Sequence, residues 1–169
     1  MREVKTNAMR VLERWRVDYE AYTYPSEIHS ADGVARELGV RAAEVFKTLV
    51  VLPESGRGRP MLVMVPGDRD LDLKLLGQQP EVGEKRLRMA TQREAESLTG
   101  LLVGGISALA LLQKGFRVYI DRSALALERL YVSAGQRGIN LRLAPADLIK
   151  VTGAVPVVTA RPPAGESSG

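Results

Sequence analysis

Two stretches of the chain carry apolar residues at nearly every position, a pattern typical of buried or half-buried strands. Residues 46–52 are rich in β-branched and large apolar side chains, with a single lysine near the start, and residues 61–65 form a second apolar run. The intervening segment 55–60 contains two glycines and a proline. The pattern therefore predicts two strands joined by a flexible, hairpin-like connection.

Helical spacing and cap residues predict the helices. Side-chain acceptors of the Ser, Thr and Asp type satisfy free N–H groups at a helix start, and glycine is common just after the end. The helices with such signals are one opened by Thr6 or Asn7 with apolar positions Ala8, Val11, Leu12 and Trp15, one from Ser30 to Gly39, and one from the capping box Thr91–Glu94 to Gly100. Shorter helices are predicted at residues 42–44, 73–76, 123–126 and 145–151.

The remaining strands are expected at residues 19–24, 85–89, 101–103, 117–120, 130–133 and 140–143. Strands and helices are interspersed without strict βαβ alternation, which predicts an α/β fold with a mixed, curved, barrel-like sheet surrounded by helices. Residues 1–160 are predicted to form a single domain. Residues 161–169, rich in Pro, Gly and Ser, are expected to be a disordered tail.

Composition excludes several kinds of active site. The 169-residue chain has no cysteine, and His29 is its one histidine. Disulfides, thiolate nucleophiles and Cys- or His-rich metal sites are therefore excluded. His29 stands in a polar connector before a helix, where an exposed loop histidine is expected. If the protein is an enzyme, its nucleophile is expected to be water or a group on the substrate.

The apolar runs and the net charge of the chain indicate its location and its class of partner. No apolar run approaches the roughly 20 residues of a membrane span, and the first residues lack the apolar segment of a signal peptide. The cytoplasm is therefore the expected location. The net charge of +4 favours a polyanionic partner, although plain solubility accounts for it equally well.

Lys47 is the most informative single residue, because it is a cation in an otherwise apolar strand. Two glycine-bearing segments follow later in the chain, at residues 102–107 and 131–138. A lysine facing loops with accessible backbone amides would suit a negative or developing-negative oxygen. Two plainer interpretations stay open: an edge-strand lysine that reaches solvent, and glycines that merely form turns.

Several motifs, in order over residues 5–155, resemble the YbaK/EbsC family of freestanding aminoacyl-tRNA deacylases. That family is related to the editing domain inserted in bacterial prolyl-tRNA synthetases. The motifs are Phe46–Val50, Leu71–Lys74, Thr99–Ser107, Tyr131–Gly138 and the pair Asp147-Leu148.

The resemblance implies the editing-domain fold and hydrolysis of the ester of mischarged tRNA, most of all of the Cys-tRNA(Pro) type. It implies no cofactor, no metal and no protein nucleophile. Lys47 would hold the terminal adenosine or the carbonyl region, and amides of Gly104, Gly105 and Ile106 would face the carbonyl oxygen. The implied substrate-binding residues are Tyr24, Thr48, Ser107, Ser133, Gly135, Arg137 and Asn140.

The implied partners are tRNA, through its aminoacylated 3′ end, and prolyl-tRNA synthetase. Basic surface near the pocket mouth would contact RNA phosphates. The candidates are Lys74, Lys85, Arg86, Arg88, Arg137 and the Arg57–Arg59 loop.

Three departures from the family pattern bear on specificity. Ala108 replaces a proline after the glycine loop, Asn140 replaces the aspartate of cysteine-specific members, and Ala134 stands where a second glycine is common. Two alternatives therefore stay open: a deacylase for another small amino acid such as alanine, and a non-catalytic module that binds tRNA or a synthetase.

Overall fold

The computed structural model describes residues 5–161, which form a mixed α/β fold with two sheets. In chain order the elements are α1 (Asn7–Arg14), β1 (Glu20–Thr23), α2 (Ala31–Leu38), β2 (Phe46–Pro53), β3 (Met61–Pro66), α3 (Leu73–Gly77), β4 (Leu87–Met89), α4 (Gln92–Thr99), β5 (Arg117–Asp121), β6 (Leu130–Ser133), β7 (Ile139–Leu143), α5 (Pro145–Thr152) and β8 (Val155–Val157). Short 3-10 helices span Ala42–Glu44, Ala108–Leu111 and Arg122–Ala126.

The larger sheet has the strand order β4-β2-β3-β5-β8. Strand β2 pairs antiparallel with β3 and β4, whereas β3–β5 and β5–β8 are parallel. Every residue of β3 is buried, as expected for a strand covered on both faces. The predicted hairpin is confirmed, with Lys47 opposite Val65.

The smaller sheet is antiparallel, in the order β1-β7-β6. Its central strand sets Asn140 between Tyr22 on β1 and Ser133 on β6. A single parallel bridge from Val45, just before β2, to Tyr131 on β6 connects the two sheets. The start of β2 is therefore adjacent to the end of the smaller sheet that carries the second glycine segment.

The predicted caps are confirmed at α1, α2 and α4. The side chains of Thr6, Ser30 and Thr91 accept hydrogen bonds from the first-turn amides. The carboxylate of Glu94 completes the capping box and also pairs with Arg88, whose guanidinium lowers the Glu94 pKa to about 2. Local side-chain chemistry thus determines where these helices begin.

The structure differs from several details of the predicted fold. The mixed α/β prediction is confirmed, but the sheets are open and form no closed barrel within residues 5–161. Residues 101–103, predicted as a strand, form a loop, and strand β8 was not predicted. Trp15 lies at the end of α1 and is 47% exposed, not part of a buried face. The predicted tail, apart from Arg161, lies outside the described residues.

Within residues 5–161, no helix combines the length and apolar character that crossing a membrane requires.

A buried polar network holds the loop between β3 and α3. The Asp121 carboxylate, 2% exposed, accepts hydrogen bonds from the amide and hydroxyl of Thr159 (2.9 and 2.7 Å) and from the Ser123 amide (3.0 Å). Its second oxygen lies 3.7 Å from the Arg69 guanidinium. The Thr159 carbonyl in turn accepts from the amide of Asp72, which caps α3. Asp121 therefore connects three segments that are distant in sequence.

We expect Asp121→Ala to lower the free energy of unfolding by about 3–5 kcal/mol, because it leaves buried donors and a guanidinium without their acceptor. Urea unfolding measures this change. Asp18→Ala, at an exposed position, is the control and should alter stability by no more than about 0.5 kcal/mol. Equal unfolding midpoints for the two variants would contradict a structural role for the network.

Candidate active site

A cavity of about 170 Å³ lies where the start of β2 meets the smaller sheet. The beginning of α2, the strand β2 and the first glycine loop form its walls. Its lining includes Tyr24, His29, Ser30, Asp32, Phe46, Lys47, Thr48, Gly67, Val103, Gly104, Ile106, Ser133 and Asn140. The cavity thus collects residues from six separate segments, beside the bridge that joins the two sheets.

Lys47 provides the positive charge of the cavity. It lies on β2 with its side chain 30% exposed, and its Nζ is 3.7 Å from the Asp70 carboxylate. The Asp70 side chain is fully exposed, and such solvent-screened ion pairs contribute only about 0–1 kcal/mol. The ammonium can therefore exchange this carboxylate for an anionic group of a ligand at little cost.

Thr48, the next residue on β2, brings a hydroxyl to the same cavity. Its Oγ1 is buried and has no hydrogen-bond partner among residues 5–161. A buried polar atom without a partner is costly unless something else binds it. The Thr48 hydroxyl is therefore available to a polar ligand group.

Tyr24 and Asn140 form a further part of the cavity wall. The Tyr24 hydroxyl donates a 3.4 Å hydrogen bond to Asn140 Oδ1, and Asn140 is only 3% exposed. Burial raises the pKa of Tyr24 above its usual value, so the phenol stays protonated at neutral pH. This wall is polar but uncharged.

The first glycine loop lines the cavity through Gly104 and Ile106. Gly104 has a left-handed φ of +94°, which a side chain would strain. Within residues 5–161, the N–H groups of Gly104 and Ile106 donate to no protein acceptor, whereas the Gly105 N–H donates to the Leu102 carbonyl at 2.8 Å. Two of the three predicted amides therefore have no acceptor within the described residues, and the third stabilises the loop.

Gly105 lies against the backbone of the second glycine loop. A Cβ at this position would come within 2.8 Å of the Arg137 nitrogen and 2.9 Å of the Gln136 carbonyl carbon. Arg137 strengthens the contact, since its Nε donates to the Val103 carbonyl at 2.8 Å. On the other side of the loop, Glu96 accepts from the Val103 amide. These contacts determine where the amides of Gly104 and Ile106 lie.

The predicted site residues separate into two groups. Tyr24, Lys47, Thr48, Gly104, Ile106, Ser133 and Asn140 line the cavity. Gly105, Ser107, Gly135 and Arg137 belong to the two glycine segments but do not line the cavity. The Gly135 amide, for example, donates to the Ser133 hydroxyl at 3.2 Å. The substrate-contact roles of both groups stay predictions.

His29 is a cavity residue that sequence reasoning missed. It is exposed, as expected, but it lines the cavity wall. A Cβ at Gly104 would come within 3.1 Å of the His29 Cβ, so His29 and the glycine loop are in close contact. The sequence gives no signal for this proximity, because the two residues meet only through the tertiary fold.

Among residues 5–161, no group of three or more His, Cys, Asp or Glu side chains is placed to hold a metal ion.

Comparison with known proteins identifies the family. The sequence profile of the aminoacyl-tRNA editing domain matches residues 25–151. The chain is 37% identical, over 88% of both chains, to EbsC of Enterococcus faecalis, named as a candidate Cys-tRNA(Pro)/Cys-tRNA(Cys) deacylase. It is 30% identical to part of a proline–tRNA ligase of Shouchella clausii, where the match covers 68% of this chain and 19% of the ligase.

Solved structures agree with this assignment. A candidate trans-editing enzyme for prolyl-tRNA synthetase superposes with a TM-score of 0.75 at 25% identity, covering 95% of this chain and all of that one. A hypothetical protein superposes with a TM-score of 0.81 at 26% identity, covering 92% of this chain and 99% of the other. The chain therefore belongs to the aminoacyl-tRNA editing domain family, and its class of activity is aminoacyl-tRNA deacylation.

Proposed function

We propose that the protein removes cysteine from mischarged tRNA(Pro), with Lys47 and the amides of Gly104 and Ile106 acting on the ester. The observation that carries the proposal is the pairing, in one small cavity, of a half-buried ammonium with two N–H groups that have no protein acceptor within residues 5–161. Hydrogen-bond donors that stabilise a developing oxyanion usually make the largest single contribution to the rate enhancement of such reactions, because they act in a site from which water is largely excluded.

In the proposed reaction the substrate supplies the nucleophile. The cysteine thiol attacks its own ester carbonyl, so that a C–S bond forms and the carbonyl oxygen becomes an oxyanion held by the two amides. The C–O bond to the ribose then breaks. The ribose oxygen takes up the proton that the thiol has lost, and a cyclic thiolactone leaves. The protein contributes orientation and charge stabilisation.

Lys47 is proposed to hold the terminal nucleotide end or the carbonyl region as a point charge. Thr48, with its unpartnered hydroxyl, and Ser133 would bind polar groups of the ribose or the amino acid. Tyr24 and Asn140 would bound the amino-acid side chain. Because Asn140 is neutral, this wall accepts a small uncharged side chain, and alanine is the second substrate to be tested.

The non-catalytic alternative receives little support. Ala108, which replaces the family proline, is 4% exposed in the 3-10 helix after the loop. The loop instead owes its shape to Gly105 and to the contacts of Val103 with Arg137 and Glu96. We also propose that the protein acts in the cytoplasm and obtains its tRNA selectivity through prolyl-tRNA synthetase.

We expect Lys47→Ala to lower the rate of Cys-tRNA(Pro) deacylation by roughly two to three orders of magnitude, since the loss of one transition-state donor costs about 2.7–4 kcal/mol. Single-turnover assays with pre-charged tRNA measure this rate directly. Lys150→Ala, at an exposed position on α5, is the matched control and should keep the wild-type rate.

Thermal unfolding of Lys47→Ala should resemble that of the wild type, because Asp70 is fully exposed and its ion pair with Lys47 therefore contributes little to stability. A correctly folded Lys47→Ala variant with wild-type activity would refute the assigned role.

Asn140→Asp should change the amino-acid profile of the enzyme, because it places a carboxyl group 3.4 Å from the Tyr24 hydroxyl in the cavity wall. We expect the ratio of Cys- to Ala-tRNA(Pro) deacylation to change by about tenfold or more, corresponding to 1.4 kcal/mol or more. Competition assays with both charged species measure the ratio. An unchanged ratio would remove Asn140 from the amino-acid pocket.

A further inference from the structure

A second, larger groove lies beside the candidate active site, between α1 and the 3-10 helix Ala108–Leu111. Its volume is about 570 Å³. The floor is partly apolar, and Arg10, Arg14 and Lys114 stand along it, with no acidic residue among the lining side chains. None of these three cations was among the basic residues that the sequence analysis selected for RNA.

The cations of the groove are available for a ligand. All three are exposed, and within residues 5–161 the side chains of Arg14 and Lys114 make no ion pair or hydrogen bond. The Arg10 side chain donates to the neutral side chain of Asn7 and also attracts the Glu13 carboxylate, whose pKa it helps to lower. The nearby Glu13 carboxylate is paired with Lys5 and accepts from Tyr19. The groove therefore retains a net positive charge.

Several of the basic residues that the sequence suggests for RNA binding already bond to acceptors within the protein. Arg88 forms a two-pronged pair with Glu94 at 2.7 and 2.8 Å. Arg59 donates to the carbonyls of Gly115 and Phe116, and Arg137 donates to Val103. Their donors already have acceptors in the protein, which makes them weaker candidates for phosphates than Arg14 and Lys114.

The groove lies close to the candidate active site. Ala110 lines the groove, and a Cβ at Gly135 would lie 3.5 Å from the Ala110 Cβ. Gly135 is two residues from Ser133, which lines the cavity. The 3-10 helix Ala108–Leu111, which contains Ala110, begins after its N-cap Ser107, and Ser107 directly follows the cavity residue Ile106. One layer of residues therefore separates the groove from the cavity.

From this geometry we infer that the groove binds phosphodiesters of the single-stranded 3′ end of the substrate tRNA, just upstream of the esterified nucleotide. The inference rests on the proposed function, because the strand next to an ester held in the cavity must cross the protein surface nearby, and the groove is one residue layer from the cavity. Cations without carboxylate partners match a phosphodiester backbone, and such contacts position a strand without reading its sequence. The apolar floor suits the sugars and bases of an unpaired strand.

The test uses the double variant Arg14→Gln/Lys114→Gln and uncharged tRNA(Pro), so that binding is measured without reference to hydrolysis. Each lost single-strand phosphate contact lowers the salt slope of log K by about 0.7. The variant should therefore lose about 1.4 from the slope and bind on the order of tenfold more weakly near 0.1 M salt. The control Arg93→Gln/Lys150→Gln removes the same charge at exposed positions on α4 and α5.

Two further comparisons locate the contact. Affinity for tRNA(Pro) that lacks its single-stranded 3′ end should be the same for the variant and the wild type. In deacylation, the variant should raise KM for charged tRNA while kcat, and all kinetics with a 3′-aminoacyl adenosine, stay unchanged.

Equal loss of affinity for intact and truncated tRNA would overturn the inference, as would a larger effect of the control pair or an unchanged salt slope. A wild-type protein that binds tRNA through the groove but hydrolyses no charged species would instead refute the proposed function alone.

Discussion

The candidate site depends on the contact between two loop backbones. Gly105 approaches the Gln136–Arg137 backbone so closely that any Cβ would overlap it. The Arg137 guanidinium then holds the neighbouring Val103 carbonyl. Gly105 uses its own N–H within the loop, whereas the amides of Gly104 and Ile106 have no protein acceptor in the described chain. Rigid donors cost no reorganisation when charge develops on a substrate.

The rest of the fold brings a positive charge to these amides. The bridge between Val45 and Tyr131 joins the two sheets at the start of β2, so Lys47 and Thr48 fall beside the end of the smaller sheet. The nearby loop between β3 and α3, which supplies Gly67 and Asp70, is secured by the buried Asp121 network. A chain without cysteine and with one histidine can thus assemble a site from an ammonium, hydroxyls and backbone donors.

The sequence predicts structure correctly where the signals are local, and the predictions fail where tertiary contacts determine the backbone conformation. Helix starts were predicted because capping side chains bond within one turn. Residues 101–103 have strand-like composition, but Glu96 and Arg137 bind the amide and carbonyl of Val103, so no strand can pair there. Strand β8 was missed because Pro156 interrupts it, which is tolerated only since β8 is an edge strand. The motifs located the two loops, but the contact of His29 with Gly104 and the groove beside α1 needed the three-dimensional structure.

The most direct test of the central claim is deacylation by the wild-type protein of tRNA(Pro) charged with cysteine, alanine or proline, with analysis of the released amino-acid product. The account predicts turnover of the cysteinyl species with release of a thiolactone, while the prolyl species is spared. Absence of turnover for all three species, under conditions in which the protein binds tRNA, would contradict it.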